Sequence, residues 1–385
     1  MASRKRPVAM EKLPDDILFD NICIRLPAKL VAQMRCVSKP WNAYLSQPSF
    51  IKSHRDRFVR NNDETLMIIG HGFPFDGDKP YTTHNSQSPY DEVTHLIKLP
   101  ANMPNSENIC YNAVVGSING LVCFASYESD ACEAVVYIWN PSLSALLTLP
   151  PHMYYSYSGC FRFGFDPKTD DYKVVKLSFH TDYPSNPLGW PPVIYNMKEV
   201  EVYSMKKGCW DIITPRFPSH IAEIYDGNEV CVDGHDGHIH WLCAINQEKT
   251  QQTIVTFDVG LETFGEISLP RPIQDGNASR TFVLGKMAGK LCVMSYVDDE
   301  YEVWVMGEYG VAESWAKQNI FSHFSGKIDP FGFTLNSEFL FGIGHRLALY
   351  DPNGAKVKLF NITKPSTTTK IVHYVESLVW VEPPK

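Results

Sequence analysis

The densest group of side chains that could do chemistry lies in the segment DGHDGHIHWLC, which holds Asp233, His235, Asp236, His238 and His240. Imidazole nitrogens and carboxylates are zinc ligands, so this segment could hold a metal ion. In a strand, His238 and His240 would face the same side, with His235 in the preceding turn. However, Asp-Gly pairs are typical of tight hairpin turns, and no Cys or carboxylate elsewhere has recognisable ligand spacing. We therefore predict a turn into the buried strand IHWLCAI, and neither a metal nor a cofactor.

The other polar motifs also lack the geometry of a catalytic or nucleotide-binding site. GHGFPFDGD is glycine-rich, but it contains a proline and lacks the following Lys-Ser/Thr of a phosphate-binding loop. DPKTDDYK and DPNGAK carry acidic and amide side chains without the spacing of a calcium loop, and they predict tight turns. Because no nucleophile lies beside a base in the sequence, we predict a protein without catalytic residues.

Two regions of the chain differ in sequence pattern, and they must position any functional residues. Residues 11–60 show helical apolar spacing interrupted by prolines, which predicts a small all-α head. Residues 1–10 are predicted to be a basic, flexible terminus, and residues 61–105 a polar connecting segment with a strand or two and several prolines. Residues 106–385 consist of short apolar runs separated by turn signals, which predicts a large all-β domain.

The β-rich part contains a loose repeat of a strand, a turn and a strand. Equivalent positions in the copies are separated by 64, 54, 47 and 46 residues, and they are Asn140, Ser204, Asp258, Val305 and Asp351. A period near 45 residues is typical of a four-stranded propeller blade. At this period, the 106–385 region predicts a β-propeller-like domain of about six sheet units.

Charge and composition limit the kinds of molecule that the chain is expected to bind. Residues 1–60 hold twelve Lys and Arg against five Asp and Glu, a net charge of +7, whereas the remainder carries −15. The basic head suits an acidic protein, and the acidic remainder argues against nucleic acid as the main ligand. Ten cysteines occur singly, without a CxxC pair, as in reduced intracellular proteins. No stretch approaches the roughly 18 apolar residues of a membrane span, so we expect a cytoplasmic or nuclear protein without a membrane partner.

The segment LPDDI…IRLPAK…MRCVSKPWNAYLSQPSFIKSH, at 13–54, has the motif order of a known family. The matching residues are Leu13-Pro14, Arg25-Leu26-Pro27, Arg35-Cys36-Val37-Ser38-Lys39, Trp41, Pro48, Phe50 and Ile51. They resemble the F-box, the helical module that docks F-box proteins on the Skp-type adaptor of SCF (Skp–cullin–F-box) ubiquitin ligases. The adaptor is acidic in this family, which suits the basic head.

The phrases GSINGLVCF, IWNPSLSALLTLPP, FRFGFDPKTDDYKVVKL and IVTFDVGLETFGEISLP follow in order along the β-rich part. They resemble the plant F-box-associated interaction domain of type one, often called kelch-like, although a double-glycine kelch repeat is absent. Together the two resemblances cover about nine-tenths of the chain. The family includes self-incompatibility pollen factors and regulators of plant immune receptors.

The resemblance implies a substrate-recognition subunit of an SCF ubiquitin ligase. The F-box would bind the Skp-type adaptor and, through it, the cullin and RING subunits. The β domain would bind a target protein for ubiquitination and proteasomal degradation. The residues assigned to adaptor contacts are Leu13, Pro14, Ile17, Leu18, Leu26, Pro27, Leu30, Val31, Met34 and Trp41. Leu30 and Met34 replace the Ser and Phe that are usual in the family.

The first helix of the F-box-like segment departs from the family pattern in length. Between Leu13 and Pro27 there is one residue more than expected, around Asn21. One additional residue rotates all the following side chains by about 100° on an α-helix. Alternatively, a π-bulge absorbs it and keeps the later positions in register. The sequence leaves both outcomes open.

Two aromatic connections in the β-rich part are too long for simple hairpins, PPHMYYSYSGC and HTDYPSNPLGWPPVIYN. Tyr and Trp dominate interface hot spots, and prolines limit the entropy lost when a loop is ordered on binding. We therefore predict that Tyr155, Tyr157, Tyr183 and Trp190 line the surface that binds the target. The alternative is that these aromatic rings pack on the rim of the propeller.

Two other functions are compatible with the sequence. A β-propeller enzyme or ligand-binding module would hold a small molecule in an axial pocket, and its helical head would serve as a dimerisation element. A protein that binds the adaptor without promoting degradation would carry the same motifs. The sequence does not identify the target protein.

Overall fold

The structure is a computed structural model in which a helical head precedes a ring of β-sheets. The residues that it describes are 17–60, 65–70, 81–85, 95–97, 109–128, 134–153, 158–180, 196–214, 216–225, 236–245, 251–274, 281–297, 300–321, 328–334, 337–343, 346–351, 356–363 and 369–381. Within these ranges, no helix has the length and apolar character needed to cross a membrane.

The head is built from short helical segments. They are a π-helix (Ile17–Ile22), a 3₁₀ helix (Cys23–Arg25), α1 (Ala28–Met34), α2 (Lys39–Leu45) and α3 (Pro48–Arg60). Ser38 is the N-cap of α2, and Pro40 lies in its first turn. The Ser38 hydroxyl oxygen accepts a hydrogen bond from the Trp41 backbone N–H at 3.4 Å. Pro40 costs no hydrogen bond there, because the first turn has no acceptor for its missing N–H.

The described residues after 60 lie mainly in strands of two to ten residues. The first twelve are β1 (Thr65–Gly70), β2 (Tyr81–Asn85), β3 (His95–Ile97), β4 (Ile109–Ile118), β5 (Leu121–Glu128), β6 (Ala134–Asn140), β7 (Ala145–Thr148), β8 (Ser158–Asp166), β9 (Asp171–His180), β10 (Asn196–Ser204), β11 (Cys209–Ile212) and β12 (Glu223–Ile224). The next twelve are β13 (His238–Ala244), β14 (Gln252–Asp258), β15 (Thr263–Ser268), β16 (Thr281–Met287), β17 (Lys290–Val297), β18 (Glu300–Met306), β19 (Trp315–Phe321), β20 (Ile328–Phe333), β21 (Phe339–Ile343), β22 (Arg346–Asp351), β23 (Lys356–Thr363) and β24 (Thr369–Tyr374). A short helix, α4 (Arg271–Gln274), follows β15, and a 3₁₀ turn (Ala312–Ser314) precedes β19.

These strands form antiparallel sheets of four strands each. Sheet 1 contains β1, β2, β3 and β24, sheet 2 contains β4–β7, and sheet 3 contains β8–β11. Sheet 4 contains β12–β15, sheet 5 contains β16–β19, and sheet 6 contains β20–β23. The described residues thus form six sheets, which confirms the predicted helical head followed by a β-propeller of about six units.

Apolar clusters fill the spaces between neighbouring sheets. Ile138 of sheet 2 packs in one cluster with Val174 of sheet 3, and Val175 of sheet 3 packs in the next with Trp241 of sheet 4. Similar clusters join sheets 4 and 5, 5 and 6, 6 and 1, and 1 and 2. Strands such as β6 are nearly continuous apolar runs because both of their faces are covered. The core therefore runs around the ring.

Sheet 1 corrects one predicted domain boundary. Its strands β1–β3 lie within 61–105, which the sequence predicts as a connecting segment, yet β1 pairs with β24 along its whole length. Thr65 lies opposite Tyr374, and Gly70 lies opposite Thr369. Pairing between the first and last strands closes the ring of sheets. Because these partners are about 300 residues apart, no local pattern reveals the pairing.

Candidate functional site

The helical head has its own apolar core. The side chains buried in it are Phe19, Cys23, Ala28, Val31, Leu45, Phe50 and Leu378. The Phe19 ring stacks on Tyr44 with centroids 4.2 Å apart and meets Trp41 edge-on at 5.5 Å. His54 Nε2 donates to the Leu26 carbonyl oxygen at 2.9 Å, and burial lowers the pKa of His54, which favours the neutral ring. The exposed residues of the head are therefore held in place by a packed core.

The structure sorts the predicted adaptor residues by exposure. Ile17, Pro27 and Leu30 are exposed, with 41% of Ile17 and 42% of Leu30 accessible. Val31 is completely buried, so it supports this surface from beneath and offers no area to a partner. The other predicted positions are Leu18, Leu26, Met34 and Trp41, which are half-buried against the core, and Leu13 and Pro14, which lie outside the described residues.

Sequence reasoning missed two exposed apolar residues on the head, Ile22 and Val37, which are 41% and 67% accessible. The additional residue near Asn21 lies within a π-helix, Ile17–Ile22, at the end of which Ile22 is exposed. Hydrogen bonds in a π-helix join residues five apart, so Ile17 and Ile22 lie nearly one above the other. An α-helix aligns residues three and four apart instead. In the sequence, the additional residue near Asn21 is the one feature that indicates this arrangement of Ile17 and Ile22.

Basic side chains are exposed on the same short helices, among them Arg25, Lys29 and Lys39. Arg35, in contrast, is turned inward, and its Nη2 donates to the Leu45 carbonyl oxygen at 2.8 Å. Exposed apolar side chains together with positive charges fit a partner that offers an apolar groove with acidic edges. This combination makes the head a candidate protein-docking surface.

A buried arginine joins the head to the ring of sheets. Arg55 of α3 is 5% exposed, and its Nη1 lies 3.1 Å from Asp170 Oδ1 in the turn between β8 and β9. Its guanidinium carbon lies 4.9 Å from the centroid of the Phe165 ring, a cation–π contact. The head therefore sits at the end of sheet 3 where β8 turns into β9.

The two aromatic connections that are predicted to bind a target are attached to the opposite end of the same hairpin. Asp166 pairs with Asp171 beside the head, whereas Ser158 pairs with Phe179 at the other end. Because β8 has nine residues, these ends are roughly 26 Å apart. The predicted target-binding residues lie outside the described residues, and their role stays a prediction: Tyr155, Tyr157, Tyr183 and Trp190.

A buried ion pair fixes the chain just before the first of these connections. Lys176 and Glu201 lie opposite each other on β9 and β10, with Nζ 3.0 Å from Oε2 and side chains 2% and 0% exposed. The other carboxylate oxygen of Glu201 accepts from the Met153 backbone N–H at 2.5 Å. Lys176 Nζ also donates to His152 Nδ1 at 2.8 Å. The pair thus connects sheet 3 to the residues that lead into the aromatic connection.

The histidine cluster of the sequence forms a packing contact between two sheets. His238 and His240 face the same side of β13, as predicted, and both rings pack against Tyr309 of the β18–β19 connection. The Tyr309 hydroxyl lies 2.9 Å from His240 Nε2. Gly237, at φ +88°, forms the predicted turn before the strand. Asp233 and His235 lie outside the described residues.

His240 is expected to make the fold sensitive to acid. Burial lowers its pKa to about 4, against the opposing effect of Asp236 and with smaller contributions from His238 and Lys286. Between pH 6.5 and 4 the unfolded chain binds a proton at this position and the folded chain does not. Stability due to His240 is therefore complete above pH 6.5 and is lost as the pH falls toward 4, by on the order of 3 kcal/mol.

Urea unfolding from pH 7 to pH 4 of the wild type and of His240→Phe measures this effect. We expect the variant to lose less stability on acidification. Tyr309→Phe is the matched control and should keep the steep dependence, because burial and not the Tyr309 hydroxyl depresses the histidine pKa. If His240→Phe and the wild type lost the same stability between pH 7 and pH 4, His240 would not be the cause of the acid sensitivity.

Comparison with known proteins places this architecture in a family. Residues 73–340 match the model of the F-box associated beta propeller domain. The F-box protein CPR1 of Arabidopsis thaliana is 30% identical over 333 residues, which cover 80% of this chain and 72% of that protein. The F-box/kelch-repeat protein At3g23880 of the same plant is 26% identical over 78% of this chain and 77% of its own length.

Among solved structures, a chain of the nidogen/laminin complex is similar at a TM-score of 0.45, with 10% identity over 82% of this chain and 99% of that one. The family match extends over most of the ring, and both relatives are F-box proteins. The chain belongs to the plant F-box proteins that carry an F-box-associated β-propeller domain.

Proposed function

We propose that this F-box protein is the substrate-recognition subunit of an SCF ubiquitin ligase and has no catalytic residues of its own. Its F-box binds a Skp-type adaptor and, through it, the cullin and RING subunits. Its propeller binds a target protein that is then ubiquitinated and degraded by the proteasome. The protein works in the cytoplasm or the nucleus.

The observation that carries this proposal is the apolar surface of the F-box. Ile17, Ile22, Leu30 and Val37 are all more than a third exposed, although the same small module buries six other apolar side chains in its core. Four exposed apolar side chains on one module of about fifty residues favour a protein-interaction surface. The adaptor of this family has the acidic character that the neighbouring Lys and Arg residues favour.

The relative positions of the two ends of sheet 3 support a receptor role. The F-box contacts the β8–β9 turn through Arg55, and the aromatic connections are attached roughly 26 Å away at the far end of that hairpin. A target held at the far end leaves the F-box free for the adaptor. The contribution to catalysis is then the raised effective concentration of the target near the conjugating enzyme.

Capture of the adaptor and cullin from a plant lysate tests the adaptor half of the proposal. Leu30→Asp places a charge in the centre of the exposed surface of α1, and we expect it to reduce recovery at least about tenfold. Leu359→Asp is the matched control, because Leu359 is 50% exposed on β23 of sheet 6. Equal recovery with the wild type and both variants would refute adaptor binding through this surface.

The same capture, combined with proximity labelling under proteasome inhibition, tests the target half. Alanine at Tyr155, Tyr157, Tyr183 and Trp190 together is expected to abolish target labelling. Adaptor recovery and the melting temperature should stay nearly unchanged. A sharp fall in melting temperature would instead identify these rings as packing residues.

A further inference from the structure

The segment after β24, residues 375–381, lies between sheet 2 and the F-box. Asn140 Nδ2 donates to the carbonyl oxygens of Ser377 and Val379, at 3.0 and 2.7 Å. The Ser377 backbone N–H donates to Ser142 Oγ at 3.0 Å. Side chains of β6 and of the turn that follows it therefore fix the backbone of this segment at Ser377 and Val379.

Leu378 extends from this fixed backbone into the core of the F-box. It is 1% exposed and belongs to the same apolar cluster as Phe19, Ala28 and Val31. A module of about fifty residues buries few large side chains, so each of them contributes a large share of its packing. Leu378 thus completes the F-box core, although it is more than 300 positions away from the F-box in the sequence.

Glu376 of the same segment stabilises the start of α1. Pro27 occupies the N-cap position and makes no side-chain hydrogen bond to the helix. Glu376 Oε2 instead accepts a hydrogen bond from the Ala28 backbone N–H at 2.6 Å. A carboxylate at this position satisfies a free backbone donor and interacts favourably with the helix dipole.

Helix α1 depends on such support because it has only seven residues. Isolated helices of this length are not stable in water. Val31 anchors its inner face in the cluster that contains Leu378, while Leu30 and Lys29 are exposed on it. The orientation of Leu30 is therefore set jointly by the F-box and by residues 375–381.

We propose that residues 375–381 are a structural part of the adaptor-docking surface, in which Leu378 and Glu376 are positioning residues that hold α1 so that Leu30 meets the adaptor. This inference rests on the proposed SCF function. Neither residue needs to touch the adaptor. An intact F-box sequence is then insufficient for full adaptor affinity.

Calorimetric titration of full-length variants with a purified Skp-type adaptor tests the proposal. We expect Leu378→Ala to weaken the affinity about tenfold or more, because α1 loses the packing beneath it. Glu376→Ala should weaken it by about three- to tenfold, through loss of the cap. Two conservative variants should restore affinity to within about twofold of the wild type. They are Leu378→Met, which refills the core, and Glu376→Gln, which keeps an acceptor oxygen.

Trp380→Ala is the matched control, since Trp380 is 49% exposed on the same segment. We expect wild-type affinity for this variant. If Trp380→Ala weakened binding as much as Leu378→Ala, the segment would be a direct contact surface and the positioning role would be refuted. Unchanged affinity for Leu378→Ala would refute it as well.

Hydrogen exchange of the α1 amides in the free protein separates this inference from the proposed function. We expect Leu378→Ala to accelerate exchange in α1 at least tenfold, with the amides of sheets 3 to 5 unchanged. Faster exchange in α1 combined with no adaptor affinity in the wild type would refute the proposed function, while the support of α1 by residues 375–381 would stand. Unchanged exchange in α1 would refute that support directly.

Discussion

Replacement of Glu201 by alanine is expected to lower the free energy of unfolding by about 3–5 kcal/mol. The loss arises because the Lys176 ammonium, with a side chain 2% exposed, would stay in the interior of sheet 3 without its carboxylate partner. The Met153 backbone N–H would lose its acceptor at the same time. Urea unfolding followed by tryptophan fluorescence measures this change.

An exposed ion pair in the same sheet gives a matched control. Lys207 Nζ lies 2.6 Å from Asp211 Oδ2, but these side chains are 59% and 45% exposed. Solvent screens such pairs, so Asp211→Ala should cost less than about 1 kcal/mol although its charges are closer together. If Glu201→Ala and Asp211→Ala lowered the free energy of unfolding by similar amounts, burial would not explain the effect of losing Glu201.

The double variant Lys176→Met/Glu201→Leu distinguishes the ion pair from the space that it fills. Two apolar side chains of similar size leave no charge without a partner, so we expect this variant to be more stable than Glu201→Ala. Target capture should nevertheless weaken, because Met153 and His152 would lose the groups that hold them before the aromatic connection. Wild-type target capture by the double variant would show that this anchoring is dispensable.

The blades of the propeller could be predicted from the sequence because each blade is a local unit. Asn140, Ser204, Asp258 and Asp351 are aligned in the sequence repeat, and each is the last residue of the third strand in its sheet. The fifth aligned position, Val305, is next to the end of β18. A strand, a tight turn and a second strand leave a pattern within about twenty residues, so the repeat predicts the architecture.

Contacts between distant parts of the chain could not be predicted in the same way. Sheet 1 needs β24 beside β1, and the F-box core needs Leu378, but neither partner carries a local signal for the other. The family motif placed Val31 among the adaptor contacts because it records which positions are apolar. It does not record which of them face inward, and the fully buried Val31 shows the difference.

Replacement of Gly120 by alanine is expected to be nearly as destabilising as loss of Glu201. Asn119 and Gly120 form the turn between β4 and β5 with φ of 51° and 81°, the left-handed region that a tight hairpin requires. A Cβ atom on Gly120 would lie 2.2 Å from the Val375 carbonyl oxygen and 2.6 Å from the Ser377 Cβ. Strain at this φ and displacement of residues 375–381 should together cost about 2–5 kcal/mol.

Gly310→Ala isolates the backbone strain, because Gly310 has the same φ of +81° and a Cβ there would meet nothing within 4 Å. It should cost only about 1–2 kcal/mol, from the backbone conformation alone. Thermal unfolding and adaptor titration of both variants measure the difference. We expect Gly120→Ala to weaken adaptor binding as well, because a shift of Ser377 moves Leu378 out of the F-box core and Glu376 away from α1. Equal stability of the two variants, with equal adaptor affinity, would mean that the turn of sheet 2 and the F-box are not coupled through this segment.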